Sequence, residues 1–419
     1  MESNYQIRHG PTFYTSVNDA LKNIFSYLTI SDLVVESVDL LEAGNRVLAN
    51  DITSLNDVPG FDKASMDGYA VISGDTSSAS NKNPVFLNVP EKIHAGEDRD
   101  CSIIAGNAIE VSTGSAMPIH ADAVVMKENV ELIGNRIRIT GEVVRDTNIA
   151  KTGDEIKKNQ TVLIKGTWLK SPDIGMLASI GIKKIPVFKK PRVAVIATGN
   201  ELIEPGYELE KNKIFESNRY VISSLVRDFG GEVIDMGICM DKKLDIESRV
   251  KKAMACDMIV VTGGSSRGER DFVPEIIDQM GKPGICVHGI LMRPGSPAAI
   301  GIVNDVPIIV CPGFPVSSFF TFYTFGQKIL HGMLQTRGNP ESQLTAKMSM
   351  DVKASEKMRI FVRVRVFKKD DIFYADPLST GDSRLLSTLT NSDGFIIVEN
   401  KHILKKDESV QVMLLRSVS

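Results

Sequence analysis

From position 192 to 334 the chain alternates short β-branched runs with stretches of helical apolar spacing, and glycine or proline marks the joins. The runs fall at 192–197, 232–238, 258–261 and 308–311, and the helical stretches at 217–229, 244–255, 273–280 and 316–334. Alternation of this kind predicts a mostly parallel sheet with ligands at the carboxyl ends of its strands. Three of those ends are decorated. They are Thr198-Gly199-Asn200-Glu201, Thr262-Gly263-Gly264 running on through Arg267 and Arg270 to Asp271, and Pro312-Gly313-Phe314-Pro315. A strand feeding a glycine loop and then a helix turns backbone N–H groups and a positive helix end toward an anion. The spacing matches neither the dinucleotide fingerprint nor the nucleoside-triphosphate loop. Any one loop also reads as an ordinary βα turn. Three in one unit point to a cleft for something phosphorylated.

Composition narrows the class further. With 49 Lys and Arg against 52 Asp and Glu, the formal charge of -3 offers no basic field for nucleic acid. Five cysteines (Cys101, Cys239, Cys256, Cys286 and Cys311) are scattered without a C-x-x-C pair, so they read as buried thiols of a reducing compartment. The six histidines form no ligand cluster. The polar start of the chain lacks the apolar core of a signal peptide, and Ser317, Ser318, Thr321 and Thr324 interrupt the longest apolar run. These features predict a soluble cytoplasmic protein with no membrane or nucleic-acid partner.

At 419 residues several domains are expected. Apolar spacing predicts helices over 16–28, 40–49 and 172–180, with a basic linker at 183–191. Between 56 and 141 short β-type segments (68–72, 85–89, 123–126 and 133–137) suggest a small inserted β domain. Asn304-Asp305 between apolar runs predicts a hairpin. Past 338 the pattern returns to β. There Ile360, Val362, Val364 and Val366 alternate with Phe361, Arg363 and Arg365, which reads as a half-exposed strand with a solvated arginine face. The expected division is 1–55 with 142–184, an inserted β domain at 56–141, an α/β domain at 185–337 and a barrel-like β domain at 338–419.

Three further segments carry chemistry-bearing residues. Ser65-Met66-Asp67-Gly68-Tyr69-Ala70 places an acid before a strand, although Asp-Gly there is also a plain turn signal. Ser112-Thr113-Gly114-Ser115 is a hydroxyl-rich turn, and Lys151-Thr152-Gly153-Asp154-Glu155 an acidic loop; either is also compatible with simple solvation. In order and spacing these motifs, with Thr198 to Leu202, Thr262-Gly263-Gly264 with Asp271, Pro294-Gly295 and Pro312-Gly313 with Pro315, resemble the molybdopterin molybdenumtransferase family. The likeness covers nearly the whole chain and extends to gephyrin-like relatives. It implies an elongated homodimer whose first domain serves dimerisation, an inserted β domain, a molybdopterin-binding α/β domain and a C-terminal β domain.

The resemblance also implies a reaction: molybdenum from molybdate enters adenylylated molybdopterin and AMP is released. Asp67 and Thr113 would line the cleft from one subunit, and Asp154, Glu201, Asp241 and Asp271 from the other. Carboxylates repel an oxyanion but hold Mg²⁺, which prefers oxygen ligands and bridges phosphates. The implied metal ligands are Asp154, Asp241 and Asp271; Asp67, Glu201 and Asp271 are the implied catalytic groups. Donors to the anions would be Thr113, the loops at Gly263, Gly264, Pro312, Gly313 and Pro315, and the arginines 267, 270 and 293. Other cofactor-biosynthesis proteins and molybdoenzyme apoproteins would be partners.

Some positions depart from the family pattern. Arg293 and Ser296 stand where lysines are usual, Phe314 where a small or polar residue is usual, and Ser265 and Arg267 where valines are usual. Two alternatives to the transferase therefore stay open: a molybdopterin-binding scaffold or carrier with little insertion activity, and a transferase preferring tungstate. A nucleotide-handling adenylyltransferase is disfavoured by the flanking β domains.

Overall fold

The computed structural model describes residues 14–28, 34–97, 101–264, 272–339, 341–379 and 382–418. Its centre is the α/β unit, a six-stranded sheet in the order Glu232–Cys239, Arg192–Thr198, Met258–Thr262, Val306–Cys311, Ala299–Val303 and Pro283–His288. The first four strands run parallel, as the alternation predicts, and the last two pairings are antiparallel. The inner strands are apolar along both faces because helices cover both. Val193, Val195, Val260 and Ile309 face one core with helix Asn218–Asp228 and the helical segment starting at Pro315. Ala194, Ile196, Ile259 and Val310 face the other, with Lys243–Ala253 and Phe272–Met280. The predicted hairpin forms: Val303 pairs Val306, and Asn304 and Asp305 take φ values of 48° and 64°. That left-handed pair matches the strand twist and suits Asn and Asp.

The first domain joins two distant stretches through pairing of Val35–Asp39 with Lys184–Phe188 and of Ile52–Thr53 with Thr161–Leu163. The stretch expected as a basic linker at 183–191 thus contains a strand, because Ile185 and Val187 both point into the core with Leu48, Leu169 and Leu177. Residues 40–49 form only the short turn Leu40–Glu42 followed by irregular backbone, not a helix. Helix Val17–Tyr27 packs against the α/β unit, and Asn23 Nδ2 donates to the Cys286 carbonyl at 2.9 Å.

The inserted domain is a six-stranded sheet ordered Ala123–Met126, Gly68–Val71, Asn107–Val111, Val85–Ile93, Arg136–Ile139 and Val130–Ile133. The segment expected at 133–137 is the turn of the last hairpin, centred on Gly134-Asn135. Gly68 admits no side chain, since a Cβ there would lie 2.1 Å from the Val125 carbonyl oxygen.

The C-terminal strands Gln343–Met348, Arg359–Lys369, Ile372–Ser379, Gly394–Val398 and Ser409–Leu414 close into a five-stranded barrel. Strand Arg359–Lys369 is half-exposed as expected only from Arg365 on, where Arg365 and Phe367 are exposed and Val366 is buried; before it Phe361 and Arg363 are buried along with Ile360, Val362 and Val364. Alternation presumes water on one face, but here the second face docks on the α/β unit. Phe361 stacks on Phe320 with centroids 4.3 Å apart, and Phe395 meets Phe320 edge-on at 5.1 Å. The barrel also takes a sixth strand from the α/β unit, Met292–Arg293, which pairs in parallel with Arg359 and Ile360. Among the described residues no helix is long and apolar enough to cross a membrane.

Candidate active site

At the carboxyl edge of the parallel strands lies a cavity of about 780 Å³, a size typical of small-molecule sites. Gly263 sets its base. At φ +92°, a Cβ there would sit 2.5 Å from the Thr198 carbonyl oxygen and 2.8 Å from Thr198 Oγ1. Only glycine lets these two strand ends approach so closely, while the Gly263 N–H donates to the Cys311 carbonyl of the third strand at 3.0 Å. Gly264 is equally constrained, with φ +66° and Val273 Cγ2 at 2.7 Å from its notional Cβ. All three decorated strand ends therefore meet in one place.

The acids follow from the same convergence. The Asp241 N–H donates to Asn200 Oδ1 at 3.1 Å, and the Asn200 N–H donates to Asp241 Oδ2 at 3.3 Å. This reciprocal clasp ties two neighbouring strand ends and leaves Glu201 and Asp241 lining the same cavity. Lys213 Nζ donates to the Asn200 carbonyl at 2.6 Å and fixes the loop from outside. Arg293, Pro312, Gly313 and Pro315 line the cavity as well. The Ser296 hydroxyl donates back to the Met292 carbonyl, so it closes its own loop. Asp271, Arg267, Arg270 and Ser265 lie outside the described residues.

Asp67, Thr113 and Asp154 do not line this cavity. Asp67 Oδ1 accepts from the Thr113 N–H at 2.7 Å and the Thr113 hydroxyl at 2.8 Å on an exposed face of the inserted domain. The backbone N–H of Thr113, and then its hydroxyl, hold the Asp67 carboxyl below the usual carboxylate range. Lys127 and Lys92 stand nearby, paired with Glu110 at 2.7 and 3.3 Å. Asp154 Oδ2 accepts the Lys151 N–H at 2.6 Å and so closes its own turn.

Several lining residues carry no motif that would single them out in sequence. Glu216 is buried, its Oε1 accepts the Arg219 N–H at 2.8 Å, and burial raises its pKa. Arg219 in turn pairs with Asp235 and Glu204. Asn218 Nδ2 donates to the Gly313 carbonyl at 2.8 Å. Ser383 and Arg384 enter from the C-terminal domain, and the Val316 N–H donates to the Ser383 carbonyl at 3.2 Å. Beneath that turn lies the buried Arg363, which was expected to be solvated. Its Nη2 donates to the Asp382 carbonyl at 3.2 Å, while Nε and Nη1 have no hydrogen-bond partner among the described residues. Burial lowers its pKa. The three-dimensional proximity of 363 and 382–384 was the only available signal.

A glycine-lined α/β cavity with two converging carboxylates and arginines at its rim, bordered by Ser383 and Arg384 of the C-terminal domain, in a chain that also carries an inserted β sheet, defines a binding or transfer protein for phosphorylated small molecules. Comparison with known proteins makes this specific. Residues 15–181 match the MoeA N-terminal region (domain I and II), 194–332 a probable molybdopterin binding domain, and 345–415 the MoeA C-terminal region (domain IV). The chain belongs to the MoeA family. It is 36% identical over 393 residues to a putative molybdopterin biosynthesis protein of Methanocaldococcus jannaschii, covering 91% of this chain and 92% of that one. It is 31% identical to the molybdopterin molybdenumtransferase of Bacillus subtilis over 387 residues, covering 91% and 90%. The crystal structure of the molybdopterin biosynthesis MoeA protein from Pyrococcus horikoshii OT3 superposes with a TM-score of 0.83 at 33% identity, covering 96% of this chain and all of that one.

Proposed function

We propose that this chain is a Mg²⁺-dependent molybdopterin molybdenumtransferase, inserting molybdenum from molybdate into adenylylated molybdopterin with release of AMP. The observation that carries the reading is the convergence of Glu201, Asp241, Gly263, Gly264, Arg293 and Gly313 on one cavity, in a chain of the MoeA family. N–H groups of the glycine loops other than that of Gly263, which is committed to Cys311, and the guanidinium of Arg293 bind phosphate and molybdate oxygens. Glu201 orients a water or molybdate oxygen that bonds to phosphorus as the phosphoanhydride P–O bond breaks and AMP leaves; the dithiolene thiols bond molybdenum as it sheds oxygen, and their protons go to that oxygen.

The donor set fits magnesium in kind. Asp241 offers a hard oxygen ligand at the cavity, and Mg²⁺ is commonly held by one or two carboxylates plus substrate phosphates. Substrate phosphates would supply further ligands to an ion held there. Asp241, with Asp271, would hold the ion, which neutralises charge on the phosphate oxygens when bound. Asp154, engaged in its own turn, is the weaker candidate.

Asp67 and Thr113 belong to the site as the wall given by a second subunit of a cytoplasmic homodimer. Their exposure, and their separation from the cavity within one chain, support that arrangement. The test is single-turnover conversion of adenylylated molybdopterin by purified protein with Mg²⁺ and either molybdate or tungstate. Oxyanion-dependent AMP release with metal retained on the pterin is expected, faster with molybdate. Tight binding without AMP release would overturn the transferase in favour of a carrier. Faster release with tungstate would reassign the metal.

A further inference from the structure

Phe314 sits at a position where its side chain caps no helix. It is the N-cap of the helix beginning at Pro315, a place where Ser, Thr, Asp or Asn would accept a backbone N–H, and it makes no cap hydrogen bond. Its side chain is 53% exposed. Among the described residues it stacks on no other ring. The chain thus forgoes a helix cap here and leaves a large apolar ring half in water on the wall of the candidate active site.

It is not alone there. Ile214 and Phe215, 57% and 45% exposed, line the same cavity from the short strand Ile214–Phe215, whose burial pattern is exposed throughout. Apolar faces in a cavity that also carries glycine loops, carboxylates and arginines suit a ligand that is flat and apolar at one end and anionic at the other. Aromatic rings bind conjugated heterocycles face to face, because stacking needs only a π-face and tolerates the ring's own donors and acceptors.

We propose that Phe314, assisted by Phe215, is the stacking platform for a planar fused nitrogen heterocycle of the substrate, and so a specificity-determining residue of this chain. The ligand's identity rests on the molybdenumtransferase reading above. An adenylylated pterin carries two such heterocycles, pterin and adenine, on either side of its phosphates. Either could occupy the platform while the glycine loops and Arg293 hold the phosphates.

The experiment titrates a pterin monophosphate and AMP separately against the full-length protein and its Phe314→Ala, Phe314→Asn and Phe314→Trp variants, and measures KM for adenylylated molybdopterin. Stacking predicts that the Ala and Asn variants lose about tenfold to a hundredfold in affinity for one probe, with a matching rise in KM. The Trp variant should stay within about twofold of the parent. The probe that loses affinity names the stacked ring. Phe314→Asn restores a capping side chain, so its thermal midpoint should equal or exceed the parent's, which separates lost binding from lost folding. Unchanged affinity and KM in Phe314→Ala, or equal loss in Phe314→Trp, would overturn the platform while leaving the transferase intact. Failure of the parent to bind either probe or turn over the substrate would overturn the substrate reading, and the platform with it.

Discussion

The α/β cavity and the exposed face of the inserted domain hold the same kind of hardware in opposite settings. In the cavity, Glu201 and Asp241 owe their places to parallel strands that are distant in sequence and adjacent in space, locked by the Asn200–Asp241 clasp. In the inserted domain, Asp67 is held by two donors of Thr113 at the entry to one strand, open to solvent. One group of acids is gathered by global packing, the other by local hydrogen bonds. The difference teaches that folding of a single chain assembles the α/β cavity and leaves the Asp67 carboxylate pre-set and facing outward.

Perturbing the cores gives the largest expected contrast. Phe320→Ala removes a fully buried ring shared by the α/β unit and the barrel and should cost about 3–5 kcal/mol. Hydrogen exchange should then show lost protection in both regions. Ile137→Ala, fully buried in the inserted sheet, should reduce protection in that sheet alone. Equal spread from both variants would mean that the regions do not fold as separate units.

Chemistry gives the next contrast. Glu201→Gln is expected to lower single-turnover AMP release at least about a hundredfold, roughly 2.7 kcal/mol of barrier, with no change in thermal midpoint. Asp67→Ala should also lose turnover. Mixing and reassembling the two inactive variants should restore up to about a quarter of parent activity, since half of randomly paired dimers are mixed and each holds one intact site. No recovery after verified exchange would place Asp67 outside the site.

The smallest effect tests the Thr113 clasp. Because the folded Asp67 pKa is depressed, its stabilising contribution is present above the unfolded pKa of about 3.9 and is lost as pH falls through the folded value. Thr113→Val deletes the hydroxyl donor but keeps the stronger backbone donor. The Asp67 midpoint, followed by carboxyl NMR, should therefore rise only part of the way toward its ordinary value.

The legible part of this molecule was the part where local and global demands agree. Runs such as Met258–Thr262 are apolar on both faces because helices cover both, and Asn304-Asp305 has the one backbone geometry a two-residue hairpin needs. Where tertiary packing overrode the pattern, the reading failed. Arg363 alternates as a surface residue should, yet the barrel's docking on Phe320 buries its half of the strand and leaves Arg365 exposed. The stretch at 183–191 has linker composition but pairs with Val35–Asp39. Within the site, motif residues at strand ends were readable because glycine and acid spacing is local. Glu216, Asn218, Ser383 and Arg384 were not, since only the fold brings them to the cavity.

The two-residue strand Met292–Arg293 has a bearing on how such proteins can be rebuilt. By pairing with Arg359 and Ile360, it stitches a cavity residue into the framework of a module that follows it in the chain. A chimaera that exchanges the C-terminal barrel at the 338 junction therefore inherits a foreign partner for that seam, and its guanidinium would be re-aimed. Grafts between relatives should succeed only when the segment around 290–297 travels with the barrel, so the practical unit of exchange is discontinuous.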